Sequence, residues 1–228
     1  MENNFFEEEN TFEYSAKRKF WLEFKDLMAG CAFPFIIMVI FSSTIIAFGC
    51  GNKVDLSIKL IAIIGGELML TAALFIFGRA NGSEAYKKTV ENQRKRELNS
   101  SDEKVAYHTG EYALWKGVLI GFIICIPFLI FLTVQVCVEN TFCTFILQYV
   151  FAWGYAPFLP LGSGYIALSY TAILFPIAIM TLGYFFGKKR QIKIQEELAK
   201  TNPDDKRSQV VDIPGEKKKG KNNKGRKK

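Results

Sequence analysis

A single histidine, no C-x-x-C pair, no H-E-x-x-H and no glycine-rich loop ending in lysine remove the familiar zinc and phosphate-binding motifs from this chain. No Ser, His and Asp set can be gathered on one membrane face either. The motifs therefore predict no catalytic residue, no metal ligand and no cofactor. Five cysteines are too few for a dense disulfide scaffold, and two of them, Cys31 and Cys125, sit in apolar runs. The first residues lack the basic n-region of a signal peptide and carry Glu7, Glu8 and Glu9 instead, so the first apolar run is expected to stay as an anchor.

Charge is missing most unevenly. Residues 140–187 contain none, although charged residues make up 22% of the chain. A bilayer imposes such segregation, because each spanning helix must turn apolar side chains to lipid. The 228 residues carry a net charge of +7, but residues 188–228 hold 15 Lys or Arg against 6 Asp or Glu. That local excess leaves the rest of the chain slightly acidic, so the basicity belongs to a tail and not to the fold.

Apolar length then divides the chain. Residues 1–26 form an N-terminal segment, expected to be partly interfacial because Lys17, Arg18, Lys19 and Lys25 are mixed with Phe20, Trp21, Leu22 and Phe24. Residues 27–78 hold two spans, 27–49 and 56–78, with Pro34 bending the first and Gly78 closing the second through a left-handed cap. Residues 79–111 are polar and predict a helical hairpin at the membrane surface. It opens with a turn at Asn81, Gly82 and Ser83, continues as a helix over 83–98 supported by the Glu84 and Lys88 pair, and restarts at a capping box from Ser100 to Glu103. Residues 112–187 hold the third span, 112–136, kinked at Pro127, and the fourth, 165–187. Residues 188–228 form a basic tail with few apolar anchors, expected to be largely disordered.

Topology follows from charge. Lys and Arg gather at 17–25, 79–104 and 188–228, whereas the links near 50–55 and 137–141 hold Lys53 alone. The positive-inside rule puts both termini and the hairpin in the cytoplasm and the two bare links outside. An odd number of crossings must then join residue 140 to residue 188. This makes residues 142–164, rich in aromatics around Gly154, Pro157 and Pro160, a re-entrant or interfacial segment. The predicted fold is all-α: a polytopic protein of the cell membrane with about four transmembrane helices, one re-entrant or interfacial segment and a disordered basic tail.

Four features carry functional expectations. Glu67 lies near the middle of the second span, where a carboxylate costs about 2.5–3.5 kcal/mol on insertion scales. It marks either an intramembrane polar site for an ion, proton or cationic substrate, or one hydrogen bond to Ser42, Ser43 or Thr44. Gly117 and Gly121 have the G-x-x-x-G spacing of close helix packing. Cys137 and Cys143 stand near enough in sequence for a disulfide on the outer side, with Cys50 as a competitor and independent free thiols as the alternative. Lys217, Lys218, Lys219, Lys221, Lys224, Arg226, Lys227 and Lys228 make the tail a polyanion binder, for anionic lipid headgroups or the ribosome.

The expected partners are the lipid bilayer, those polyanions and other membrane proteins. The leading expectation is an accessory or scaffold protein acting through its hairpin and polybasic tail, with the membrane-protein biogenesis machinery as its setting. Insertases of the YidC kind also pair a cytoplasmic hairpin with a basic tail. Their five-span core and intramembrane basic residue are missing here, so the parallel is one of layout only. The alternative expectation is a small transporter or channel subunit using Glu67.

Overall fold

The computed structural model describes residues 16–43, 55–98, 110–161 and 163–201. Their elements are α1 (Ala16–Phe41), α2 (Leu56–Leu98), α3 (Leu114–Val138), α4 (Thr141–Tyr149) and α5 (Ala152–Tyr155), then two 3₁₀ segments, Ala156–Leu161 and Ser163–Ile173, and finally α6 (Leu174–Thr201). No strand occurs among the described residues. Four stretches are long and apolar enough to cross a bilayer: Arg18–Phe41, Ser57–Lys95, Leu114–Val138 and Ile166–Thr201. The chain is an all-α polytopic membrane protein. Large apolar side chains such as Phe33, Ile61 and Leu68 remain more than half exposed on the bundle, as a lipid-facing surface requires.

Contacts between helices set their directions. Phe33 stacks on Phe77 at 6.2 Å, and the Asn81 side-chain amide donates to the Gly30 carbonyl at 3.1 Å, so α1 and α2 run antiparallel. Gly78 lies against Gly183, and farther along the Ser83 hydroxyl donates to Gln191 Oε1 at 3.1 Å, so α2 and α6 run parallel. Gly117 meets Thr181 while Gly121 meets Ile177, which makes α3 antiparallel to α6. Ala16, Leu98, Leu114 and Thr201 therefore share one end of the bundle. It carries Arg79, Lys88, Lys116, Lys188 and Arg190, and is called the basic end below; the opposite end is called the bare end.

One sequence expectation fails along α2. Gly78 does not cap a helix, and Asn81, Gly82 and Ser83 do not turn; the helix runs through all of them for 43 residues. At 1.5 Å per residue it is about 64 Å long, roughly twice the hydrocarbon thickness. Gly and Asn break helices in water when nothing packs on them, but here another helix backbone does. Glu84 and Lys88 pair at 3.3 Å on this continuous helix. The capping box from Ser100 to Glu103 lies outside the described residues.

At the bare end, α3 stops where Glu139 takes a left-handed φ of 49°, and Asn140 caps α4 by accepting from the Phe142 amide at 2.8 Å. The chain then turns into the bundle. Phe151 meets Phe35, Phe128 and Phe131, and Trp153 lies 4.9 Å from Phe128 while its backbone amide donates to Ser42 Oγ at 3.4 Å. Phe128 is ten residues from the end of α3, so Trp153 sits about 15 Å inside that end. The return runs through the 3₁₀ segments, where the Tyr170 hydroxyl donates to Thr133 Oγ1 at 2.9 Å near the bare end. Residues of the 142–164 stretch thus dip into the bundle and come back without crossing. Pro176, which has no amide to donate, falls in the first turn of α6, where it is tolerated.

Among the described residues no disulfide joins Cys137 to Cys143. Cys137 is exposed and Cys143 is buried, and both are free thiols. Helix α3 ends between them, and Asn140 starts a new helix with its own facing. Cys50 lies outside the described residues.

Candidate functional site at the basic end

Four glycines join α2 to α6. A Cβ at Gly78 would stand 2.7 Å from the Met180 carbonyl oxygen, and one at Gly82 would overlap the Tyr184 carbonyl. From the other side, a Cβ at Gly183 would lie 3.1 Å from the Arg79 amide, and one at Gly187 would overlap the Arg79 carbonyl. With no side chain in the way, the two backbones touch, and carbonyl oxygens approach Cα–H groups across the seam. Gly117 and Gly121 bring α3 onto the other face of α6, 3.3 Å from Thr181 Cα and 2.7 Å from Ile177 Cα by the same measure.

Polar ties take over toward the basic end. The Asn92 amide donates to Glu111 Oε1 at 2.7 Å and the Tyr112 amide nitrogen donates to Thr89 Oγ1 at 2.7 Å, which fastens the segment before α3 to α2. Tyr112 stacks on Tyr184 at 5.0 Å and meets Tyr86 edge-on at 6.1 Å. Lys188 lies over the rings of both Tyr112 and Tyr86, at 5.1 and 5.6 Å, so the first charge of the basic tail is held by aromatic faces.

Helix α1 stays outside the glycine seam, and a cleft of about 310 Å³ opens between it and α2, α3 and α6. Its charged rim is Glu23, Asp26, Glu84, Lys88 and Lys116, and Leu27, Phe33 and Ile120 contribute apolar wall. Lys88 Nζ stands 3.6 Å from Asp26 and 3.3 Å from Glu84. These pairs are partly exposed and contribute at most about 1 kcal/mol each, so they shape charge more than they stabilise. Lys116 donates to the Glu111 carbonyl at 2.9 Å and lies 5.8 Å over Trp115. Gly110 closes the rim with a φ of 85°, close enough that a Cβ there would stand 2.8 Å from Asp26 Oδ2.

Glu67 is elsewhere, on α2 toward the bare end. Its Oε1 is buried with no hydrogen-bond partner among the described residues. Neither described partner proposed from sequence reaches it: Ser42 accepts from the Trp153 amide and Ser43 donates to the Ile40 carbonyl at 3.3 Å, while Thr44 lies outside the described residues. The tail cations from Lys217 to Lys228 also lie outside them. Sequence reading did not single out Gly78, Gly82, Gly183 and Gly187 as a contact, although both pairs repeat the four-residue spacing noted at Gly117 and Gly121. Glu23, Asp26 and the three tyrosines are residue types that carry no signal in the sequence until the helices are paired. No known family model, no curated protein and no solved structure matches this chain, so its functional reading rests on its own residues.

Proposed function

We propose that this chain is an accessory or scaffold protein of the cell membrane that acts at its basic end, with that end and both termini in the cytoplasm. One observation carries the reading: α2 and α6 are joined backbone to backbone and continue past the apolar layer, and α6 leads directly into the basic tail. A tail rooted on a stiff helix pair presents its charge at a defined place. Its partners are anionic lipid headgroups or ribosomal RNA, with about 1 kcal/mol gained per Lys or Arg near an anionic membrane surface and strong salt dependence in either case. The positive-inside rule supports the orientation. The fully buried Leu70, Leu74, Phe128, Leu132, Leu147 and Met180 fill the bundle interior with apolar side chains, which favours a scaffold over a conduit.

Removal of residues 213–228 is expected to abolish salt-sensitive co-sedimentation with ribosomes or anionic liposomes. If the truncated chain sediments as well as the full one, this reading falls.

The unpartnered Glu67 oxygen favours a second reading, a small transporter or channel subunit. Glu67→Gln should then abolish proton- or cation-coupled flux in proteoliposomes, while leaving tail-dependent sedimentation intact. Unchanged flux, or none in the parent protein, removes it.

A further inference from the structure

We propose that the cleft between α1, α2, α3 and α6 is a binding site for one phospholipid with a primary-amine zwitterionic headgroup, a phosphoethanolamine. Three carboxylates, Glu23, Asp26 and Glu84, share the rim with two ammonium groups, Lys88 and Lys116. Lys88 lies between Asp26 and Glu84, within 3.6 Å of each, and so offsets part of their charge. Glu23 has no ion pair among the described residues and leaves the rim one negative charge in excess. A ligand that is purely anionic meets that excess unfavourably, and a purely cationic one meets two lysines. A headgroup carrying both signs matches both.

The wall chemistry narrows the choice further. A primary ammonium has three N–H groups and can donate to carboxylates, in the strong charge-assisted form, whereas a trimethylated nitrogen has none. Lys116 is positioned at the start of α3 with an aromatic neighbour, as an interfacial lysine that meets phosphate would be. Below the rim, Leu27 and Ile120 continue the cleft as an apolar surface, and Phe33, two-thirds exposed on the lipid side of α1, gives an acyl chain a place to lie. A volume of about 310 Å³ suits a headgroup and the start of its glycerol backbone, with the chains left in the bilayer. The proposal does not depend on the tail. Its occupant is a membrane lipid and not a soluble amine, because the apolar wall is continuous with the lipid-facing surface.

The test is native mass spectrometry of the full chain released from detergent, titrated with phosphatidylethanolamine, phosphatidylcholine and phosphatidylglycerol of identical acyl chains. Phosphatidylethanolamine should bind at least roughly tenfold more tightly than phosphatidylcholine, the loss expected for one charge-assisted hydrogen bond. These two lipids have the same net charge, so a tail that responds to charge alone cannot tell them apart. Glu23→Gln, a nearly isosteric change at a half-buried rim position, should reduce that preference at least about threefold, and soluble phosphoethanolamine should compete poorly. Equal binding of ethanolamine and choline lipids, or tightest binding of phosphatidylglycerol, overturns the proposal. So does a Glu23→Gln protein that keeps the full preference, and so does efficient competition by the soluble headgroup, which would make the site one for a free amine.

Discussion

The two ends of the bundle are held in opposite ways. Near the basic end, contact is made by leaving side chains out: Gly78, Gly82, Gly183 and Gly187 bring backbones together, and polar ties take over where water returns. Near the bare end, contact is made by filling space. Phe128 is fully buried against Phe151, Trp153 and the bare Cα of Gly154, where a Cβ would come within 2.8 Å of the ring. The filled end also leaves Gln135 Oε1, Trp153 Nε1 and Ser169 Oγ buried without hydrogen-bond partners among the described residues, whereas toward the basic end the Asn81, Ser83 and Asn92 side chains each make a hydrogen bond to another segment. Lipid is as apolar as leucine, so burial alone does not drive helices together in a membrane; shape does. One end should therefore be vulnerable to added atoms and the other to removed ones.

The contrast can be broken in three steps. Phe128→Ala takes a whole ring from the filled end and should cost about 3–5 kcal/mol of unfolding free energy in mild detergent. Gly82→Ala adds one methyl where the Tyr184 carbonyl already stands, and should cost about 1–3 kcal/mol by forcing α2 and α6 apart. Gly65→Ala, on the same helix but with nothing within 4 Å of the new methyl, should be neutral or stabilising by up to about 1 kcal/mol. Steric-trapping or denaturant unfolding of the three variants beside the parent supplies the measurement. A Gly82→Ala protein as mild as Gly65→Ala would show that the seam is not a tight contact, and a mild Phe128→Ala would show that the re-entrant segment packs loosely.

Much of this fold is legible from apolar length. The four spans, and the non-crossing character of the stretch around Trp153, follow from where charge is absent and where it must stop. The path of α2 past residue 78 is not. Asn81 and Gly82 are turn formers in water, but Asn81 is taken up by the Gly30 carbonyl of α1, and α6 around Gly183 and Gly187, about 100 residues later, makes Gly82 a packing surface. Pairing between distant helices is not encoded in either segment alone. The cleft was hidden for the same reason: Glu23, Asp26, Glu84 and Lys116 come from three helices, and each reads singly as an ordinary interfacial charge. Glu67 stood out at once as a carboxylate in an apolar run, yet nothing in its neighbours along the chain told whether it would find a partner.

The parallel pairing of α2 with α6 also constrains the order of assembly. Synthesis proceeds from the N-terminus, so α2 is complete at Leu98 well before α6 begins at Leu174. At about 5–20 residues per second this interval is roughly 4–15 s. Throughout it the glycine face of α2 lacks the mate that α6 later supplies and stays open as a smooth groove inside the membrane. That groove closes only once α6 has been made. The first basic residues of the tail, Lys188, Lys189 and Arg190 on α6, therefore arrive together with the mate that closes the groove.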